Sequence, residues 1–423
     1  MVSAYPSLLT RPGSDRCRFV VGLTFSRSAR QTRAVLVAGA GHAFESRVEI
    51  VGHEVRDLPR RLSRAIGLPR RARASIAPLL AAELAEFGAT IVGELCAAWP
   101  QLERRVLAIG VTEPGIWGRS RGGLVGYLPV VDAGRLADLT GLNVIDAFPA
   151  RDLAQEGAGG PLDPMPDWLM LHHASKTRVL VDLARDIRLS FLPASRDTSG
   201  ADRVGSWTLA PGMSLVDRLA RQASGRRSRF DEGGHLAVQG RCLEDLIELW
   251  RAGKGLSVVP GPRWRPAMRG AKAMFEAAIA AAPRAGWSIT DLLCTANHLL
   301  AREIAETIRH RLPDSPAVDE VVISGGGQHN GLLVHLLAEQ LPGVPLLAEA
   351  ELGIPQNMRG AAVAAVLALW HLDQTPGCPT AITGARTPRV LGRLTPGAPQ
   401  AWQRVLQELA GHWPAVVSLR SAI

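Results

Sequence analysis

Apolar positions in the first third of the chain fall in short blocks. Cys17–Thr24, Arg33–Val37 and Arg47–Val51 are β-rich runs with no room for helices between them, which predicts three antiparallel strands. Leu79, Leu80, Leu84, Phe87, Ile91, Leu95 and Trp99 then recur at helical spacing, behind Ser75 as cap and Pro78 in the first turn. Arg105–Ile109 reads as a strand, Asp132–Thr140 as a helix closed by Gly141, and Asn143–Ala147 as a strand. The order is β-β-β-α-β-α-β. Residues 1–16 carry no such pattern and are expected to be a disordered leader.

The pattern restarts at Thr177–Asp182 and Ile187–Leu192, two strands around a tight polar turn. Gly205–Met213 reads as a Gly/Pro-containing connection, and helical spacing dominates Ser214–His310. Val321–Ser324 is a buried strand running into three glycines, followed by helices over Gly331–Gln340 and Gly360–Trp370. Small residues at Gly360, Ala361, Ala362, Ala364 and Ala365 let the last helix lie close to a neighbour. Two β-rich openings in one chain point to a duplicated, two-lobed architecture.

Composition narrows the classes. A chain of 423 residues with 47% apolar and 21% charged residues builds more than one core. No apolar run is long enough for a bilayer, and the start lacks a secretory pattern, so a cytoplasmic protein without membrane attachment is expected. Five scattered cysteines without a CxxC pair argue against a disulfide framework or a metal site. The net charge of +9 is almost entirely arginine, in clusters without interleaved aromatics, so nucleic acid is not the expected partner; an anionic small ligand is easier to reconcile with it.

Two segments carry candidate chemistry. In Arg151–Leu162, Asp152 precedes a glycine-rich turn, where a carboxylate can be presented to a ligand as a base; a helix-capping Asp is the structural alternative. In Ser324–Asn330 three glycines join a buried strand to a helix, leaving backbone N–H groups to face a phosphate or a base; a plain tight turn is the alternative. His329 has no second ligand at metal spacing.

These segments, in this order, resemble the anhydro-N-acetylmuramic acid kinase family over roughly residues 18–396. Arg151, Asp152, Leu153, Ala154, Gly157, Gly160, Pro161 and Leu162 fit its RDxAxGGxGAPL-like segment, and Gly325, Gly326, Gly327, His329 and Asn330 fit its GGGxHN loop. Asp217, Asp231, Gly233, Gly240, the ELGIP segment, Thr383–Ala385 and Leu391–Gly392 also match. The resemblance implies an α/β, two-lobed actin/hexokinase-like fold with a ligand cleft, the lobes being 17–172 plus 361–423 and 173–360. It implies ATP and Mg2+ as cofactors, an amino sugar as substrate, and allows a homodimer. Asp152 would be the base on the water that attacks C1 of the 1,6-anhydro sugar, with Asp132 and Arg151 at the sugar. Gly22, Thr24, Ser26, Gly212, Gly325, Gly326, Gly327 and Asn330 would meet the nucleotide.

The chain departs from the family at its phosphate loops. GTMSGTSxDGxD reads Gly22–Thr32 as GLTFSRSARQT, SHGQT reads Val111–Gly115 as VTEPG, NIGGIAN reads Val181–Ile187 as VDLARDI, and FDTGPGN reads Trp207–Met213 as WTLAPGM. A family Glu on the late helix is Arg359. Three readings follow: the family's sugar kinase, a non-catalytic homologue that binds a cell-wall sugar or nucleotide, and a kinase for another amino sugar.

Overall fold

A computed structural model describes residues 8, 17–25, 31–67, 77–121, 123–252, 257–260, 276–310 and 317–412. Ser26, the cap candidate Ser75 and most of the expected leader lie outside these. From the leader only Leu8 is described; it is buried, and its N–H donates to Glu49 Oε2 at 2.5 Å.

The chain divides into a terminal unit (Val2–Leu169, Met358–Pro379 and Ala385–Ile423) and a central unit (Met170–Asn357 with Thr380–Gly384). In the terminal unit β1 (Arg18–Phe25), β2 (Gln31–Ala40) and β3 (Arg47–Asp57) form an antiparallel meander. Helix α1 (Ala77–Ala97) leads to β4 (Val106–Thr112), and a hairpin of β5 (Ile116–Arg119) and β6 (Val125–Leu128) precedes α2 (Ala133–Thr140) and β7 (Asn143–Asp146). β4 joins β1 in parallel and β7 joins β4 in parallel, giving β3-β2-β1-β4-β7. Helix α3 (Phe148–Leu153) follows β7.

The central unit repeats this plan. β8 (Arg178–Asp182), β9 (Ile187–Leu192) and β10 (Gly205–Ala210) form the meander, with β11 (Ser257–Pro260) added at its edge. Helices α4 (Met213–Ala223) and α5 (Ile289–His310) precede β12 (Glu320–Ser324), α6 (Gly331–Gln340) and β13 (Leu346–Ala348). β12 runs parallel to β8, and β13 to β12. Both sheets thus share the order 3-2-1-4-5, each with one further edge strand, which is β14 (Arg393–Thr395) beside β7 in the terminal unit.

Each unit has its own apolar core, one running from Val179 to Leu341 and the other from Leu8 to Val144. The late helix α7 (Arg359–Leu372) belongs to the terminal unit and is buried on nearly all sides, as expected for a helix without a polar face. It lies on β1 and β4 at backbone contact. Gly22 and Gly110 sit side by side in register, and a Cβ at either would fall 1.9 Å from Ala361 O or 2.1 Å from Ala364 O. The small residues of α7 therefore meet two glycines, not a gap.

The structure adds elements that the pattern did not predict. β10 lies in the stretch read as a connection, because Gly205 and Pro211 at its ends gave it a loop-like composition while Ser206–Ala210 is buried on both faces. β11 interrupts a region read as helical. The β5–β6 hairpin was missed because its residues are partly exposed and flanked by Gly and Pro.

Candidate functional site

In the central unit the turn after β8 is clasped from two sides. Gly327 N–H donates to Leu183 O at 2.8 Å, and Met213 and Ser214 at the start of α4 donate to Ala184 O and Arg185 O at 3.2 and 3.0 Å. Gly325 has φ 80, and a Cβ there would sit 2.5 Å from Asp182 Oδ1; one on Gly327 would sit 2.7 Å from the Leu183 side chain. Gly326 alone of the three faces open space. Gly212 precedes α4, where a Cβ would meet Ile187 N at 2.5 Å. Thus Gly212, Gly325, Gly326 and Gly327 converge on one turn. Asn330 is buried beneath them: its Oδ1 accepts from Leu333 N–H at 3.1 Å, capping α6, and its Nδ2 donates to Asn297 Oδ1 at 2.9 Å. Ser324 Oγ donates to Glu349 Oε2 at 2.5 Å, which anchors the strand end below the glycines.

Besides Asp182, two carboxylates lie in the segments of this turn. Among the described residues Asp186 Oδ1 is buried without a hydrogen-bond partner, and burial raises its pKa against the pull of Arg185 and Arg188. Burial also pushes Asp217 up to about 6, opposed by Arg221 and Arg185.

The terminal unit holds the other predicted residues. Asp152, at the end of α3, is buried; its Oδ2 accepts from Gly159 N–H at 2.7 Å, and its main-chain carbonyl accepts from Gly157 N–H at 3.0 Å. A Cβ at Gly157 would lie 2.1 Å from Asp152 Oδ2, so the turn closes on the carboxylate only because residue 157 is glycine. Asp132 caps α2 by accepting from Arg135 N–H at 3.0 Å. Arg151 is exposed, and its charge contributes, after burial, to lowering the pKa of His371. Gly22 is enclosed beneath α7, and Thr24 Oγ1 accepts from Thr112 Oγ1 at 3.0 Å.

Within the terminal unit a cavity of about 230 Å³ is lined by Val111, Thr112, Glu113, Tyr127, Phe148, Pro149, Leu162, Asp163, Arg359, Gly360, Val363 and Leu367. The Asp152 segment frames it on both sides, through Phe148 and Pro149 of α3 and through Leu162 and Asp163 after the glycine turn. Asp152 itself is not among the lining residues. Arg359 is nearly buried, its Nη1 lying 2.8 and 3.0 Å from the carboxylate oxygens of the fully buried Asp167 and 3.4 Å from Asp163 Oδ2.

Glu113, which the sequence gave no reason to single out, faces this cavity. Its Oε1 accepts from Tyr127 Oη and its Oε2 from Gly115 N–H at 2.6 Å. The Tyr127 ring is packed edge-on against Trp117 at 4.9 Å and leaves no space for a side chain at Gly115. Burial drives Glu113 up to about 7 although these bonds oppose it, and Asp146 adds to the rise. The sequence signal was confined to the replacement of SHGQT by VTEPG.

Two α/β units of the same strand order, each built on a meander extended by parallel strands, are the architecture of the actin/hexokinase-like class. The profile of anhydro-N-acetylmuramic acid kinase matches residues 31–397. The chain belongs to the anhydro-N-acetylmuramic acid kinase family. The enzyme of that name from Synechococcus sp. strain CC9311 is 31% identical over 394 residues, covering 89% of this chain and 99% of the relative. The one from Acaryochloris marina is 28% identical over 381 residues with the same coverage. Among solved structures, gluconate kinase from Lactobacillus acidophilus overlaps with a TM-score of 0.40 at 8% identity, covering 94% of this chain and 97% of that one. Among the described residues no helix is long and apolar enough to cross a membrane, and no group of three or more His, Cys, Asp or Glu could hold a metal ion.

Proposed function

We propose that the chain transfers the γ-phosphoryl group of ATP to O6 of 1,6-anhydro-N-acetylmuramic acid while opening the anhydro ring. Asp152 takes a proton from water, the water oxygen bonds to C1, the C1–O6 bond breaks, and O6 bonds to the γ-phosphorus as ADP leaves. The products are N-acetylmuramic acid 6-phosphate, ADP and the proton held by Asp152. The observation that carries this reading is the closed turn around Asp152: a buried carboxylate oriented by Gly159 N–H and approached by a glycine, in the segment that matches the family's base. Asp132 and Arg151 remain the candidates near the sugar. For the nucleotide, Gly326 offers open backbone between two glycines fixed by packing.

A magnesium ion takes oxygen ligands from one or two carboxylates and from phosphates. The partnerless buried Oδ1 of Asp186 suits such an ion, so Asp186 would hold it, and the ion would supply neutralisation of phosphate charge.

A second reading, a non-catalytic binder of a cell-wall sugar or nucleotide, is favoured by Arg359. Its charge is met by Asp163 and Asp167, where the family has a glutamate. The test is a phosphoryl-transfer assay with ATP, magnesium and the anhydro sugar, beside calorimetric ATP binding. Turnover abolished by Asp152→Asn supports the kinase. ATP or sugar binding without turnover supports the second reading.

A further inference from the structure

The cavity of the terminal unit has an unusual charge inventory for a site meant to take a sugar acid. Among the described residues its one lining cation, Arg359, lies between Asp163, which lines the cavity, and Asp167, which is fully buried. One positive charge is thus met by two negative ones before Glu113 is counted. A field of that sign does not draw in a carboxylate. Beside Thr112, Glu113 and Tyr127 the remaining wall is apolar, with Val111, Phe148, Pro149 and Leu162 in it.

Glu113 is built as a fixed acceptor in this wall. Tyr127 Oη donates to one carboxyl oxygen and Gly115 N–H to the other. The two carboxylate oxygens have four lone-pair sites between them, and with the Val130 backbone N–H as a third donor one site remains. Trp117 holds the Tyr127 ring, and Trp117 Nε1 donates to Pro114 O at 2.9 Å, so the acceptor, its donor and the hairpin form one packed block. This arrangement belongs to residues with which the chain departs from the family's SHGQT segment.

We propose that Glu113 is a specificity-determining contact, its carboxylate accepting a hydrogen bond from an uncharged hydroxyl or amide of a sugar ring seated in this cavity, from which a ligand carboxylate is turned away. The proposal deepens the sugar-binding half of the kinase reading and does not need phosphoryl transfer. Under it the sugar presents its hydroxyl or N-acetyl edge to Glu113 and keeps its acid group outside. The groups around Glu113 are Tyr127 on β6, Asp146 on β7 with its partner Arg393 on β14, and Asp163 and Arg359 in the same cavity. Burial and Asp146 keep Glu113 protonated to about pH 7. The ionised form is the acceptor, so affinity rises as pH rises through that value.

The test is isothermal titration, without ATP, of 1,6-anhydro-N-acetylmuramic acid and of uncharged 1,6-anhydro-N-acetylglucosamine between pH 5.5 and 8.5. Wild type, Glu113→Gln and Tyr127→Phe are compared, with a thermal melt of each to establish folding. Both sugars are expected to bind more tightly as pH rises. Glu113→Gln is expected to flatten that dependence and to weaken both about tenfold or more at pH 8, the size of a lost charge-assisted bond. Tyr127→Phe removes a bond to the ionised form and is expected to move the midpoint to higher pH; it carries the test if Glu113→Gln does not fold. The proposal is overturned if the Glu113→Gln profile matches wild type, if neither sugar binds wild type, or if the acid sugar binds more weakly as Glu113 ionises. Turnover unaffected by Glu113→Gln would leave the kinase reading standing and remove this one. Glu113-dependent binding without turnover would do the reverse.

Discussion

Arg359 offers the most direct measurement of how charge holds the terminal unit's cavity wall together. Its guanidinium lies 2.8 and 3.0 Å from the carboxylate of Asp167, which has no exposed surface, and 3.4 Å from Asp163. Replacing it with Met keeps the stem's volume in the helix–sheet contact but leaves a buried carboxylate without its cation. Breaking a buried pair by removing one partner costs about 3–5 kcal/mol. For a unit of this size 1 kcal/mol corresponds to roughly 2–4 °C in Tm, so a loss of about 6–20 °C is expected for the transition of the terminal unit. Arg359→Glu places three carboxylates together and is expected to be worse than Met. Adding Asp167→Leu to Arg359→Met removes the stranded charge and should return much of the stability, since exchanging a whole buried pair for apolar groups is often neutral. The assay is thermal and urea denaturation of the single and double variants. An Arg359→Met loss below about 1 kcal/mol, or a double variant no better than the single, would refute the argument that Arg359 is held by charge.

Other outcomes follow from the same geometry. Under the kinase reading, Asp152→Asn is expected to abolish turnover while leaving ATP affinity within about twofold; calorimetry beside the transfer assay checks it. Gly22→Ala is expected to cost about 1–3 kcal/mol or more, since its Cβ would meet Ala361 O at 1.9 Å; Gly326→Ala, facing open space, is expected to leave Tm unchanged. Glu113 has a folded pKa of about 7 against an ordinary 4.5, so the folded state holds its proton longer than the unfolded state. Stability is therefore fully present below about pH 4.5 and falls as pH rises to 7, by up to about 3 kcal/mol from this group, and urea titrations of Glu113→Gln should lose that slope.

Most of the framework was legible because buried strands are nearly continuous apolar runs. Phe19–Leu23, Val106–Ile109 and Val321–Ile323 stand out against the turns around them. Asp152 and the glycine loop stood out as motifs, although the pattern by itself left a helix-capping Asp and a plain tight turn as alternatives to a site. β10 was hidden by glycine and proline at its ends, whose side-chain chemistry says loop even when the residues between them are fully enclosed. Glu113 was hidden for a different reason. A single glutamate gains its meaning from Tyr127, fourteen positions further on, through a hairpin whose exposed residues, such as Leu124 and Leu128, give no apolar alternation. Pairings across a hairpin that is not itself predicted cannot be read from spacing.

The placement of Arg359 bears on whether the chain's departures are losses or replacements. An arginine arriving by drift at the head of an apolar helix would be expected to find water or to strand its charge, because a buried unpaired guanidinium costs several kcal/mol. Here it meets Asp163 and Asp167, both located in the stretch that follows the Asp152 turn. Glu113 likewise arrives with a tyrosine and a backbone N–H already directed at its two oxygens. Both substitutions lie in the wall of one cavity, and both come with partners in other segments of the chain. Random erosion of a site removes contacts. Arg359 and Glu113 make charged and hydrogen-bonded contacts that are mutually consistent, in the wall of one cavity. Under the Glu113 proposal that arrangement is a pocket fitted to its ligand. The acid–base pair at Arg359 and the acceptor at Glu113 are accordingly the two places where a change of ligand should be measurable before any change of chemistry.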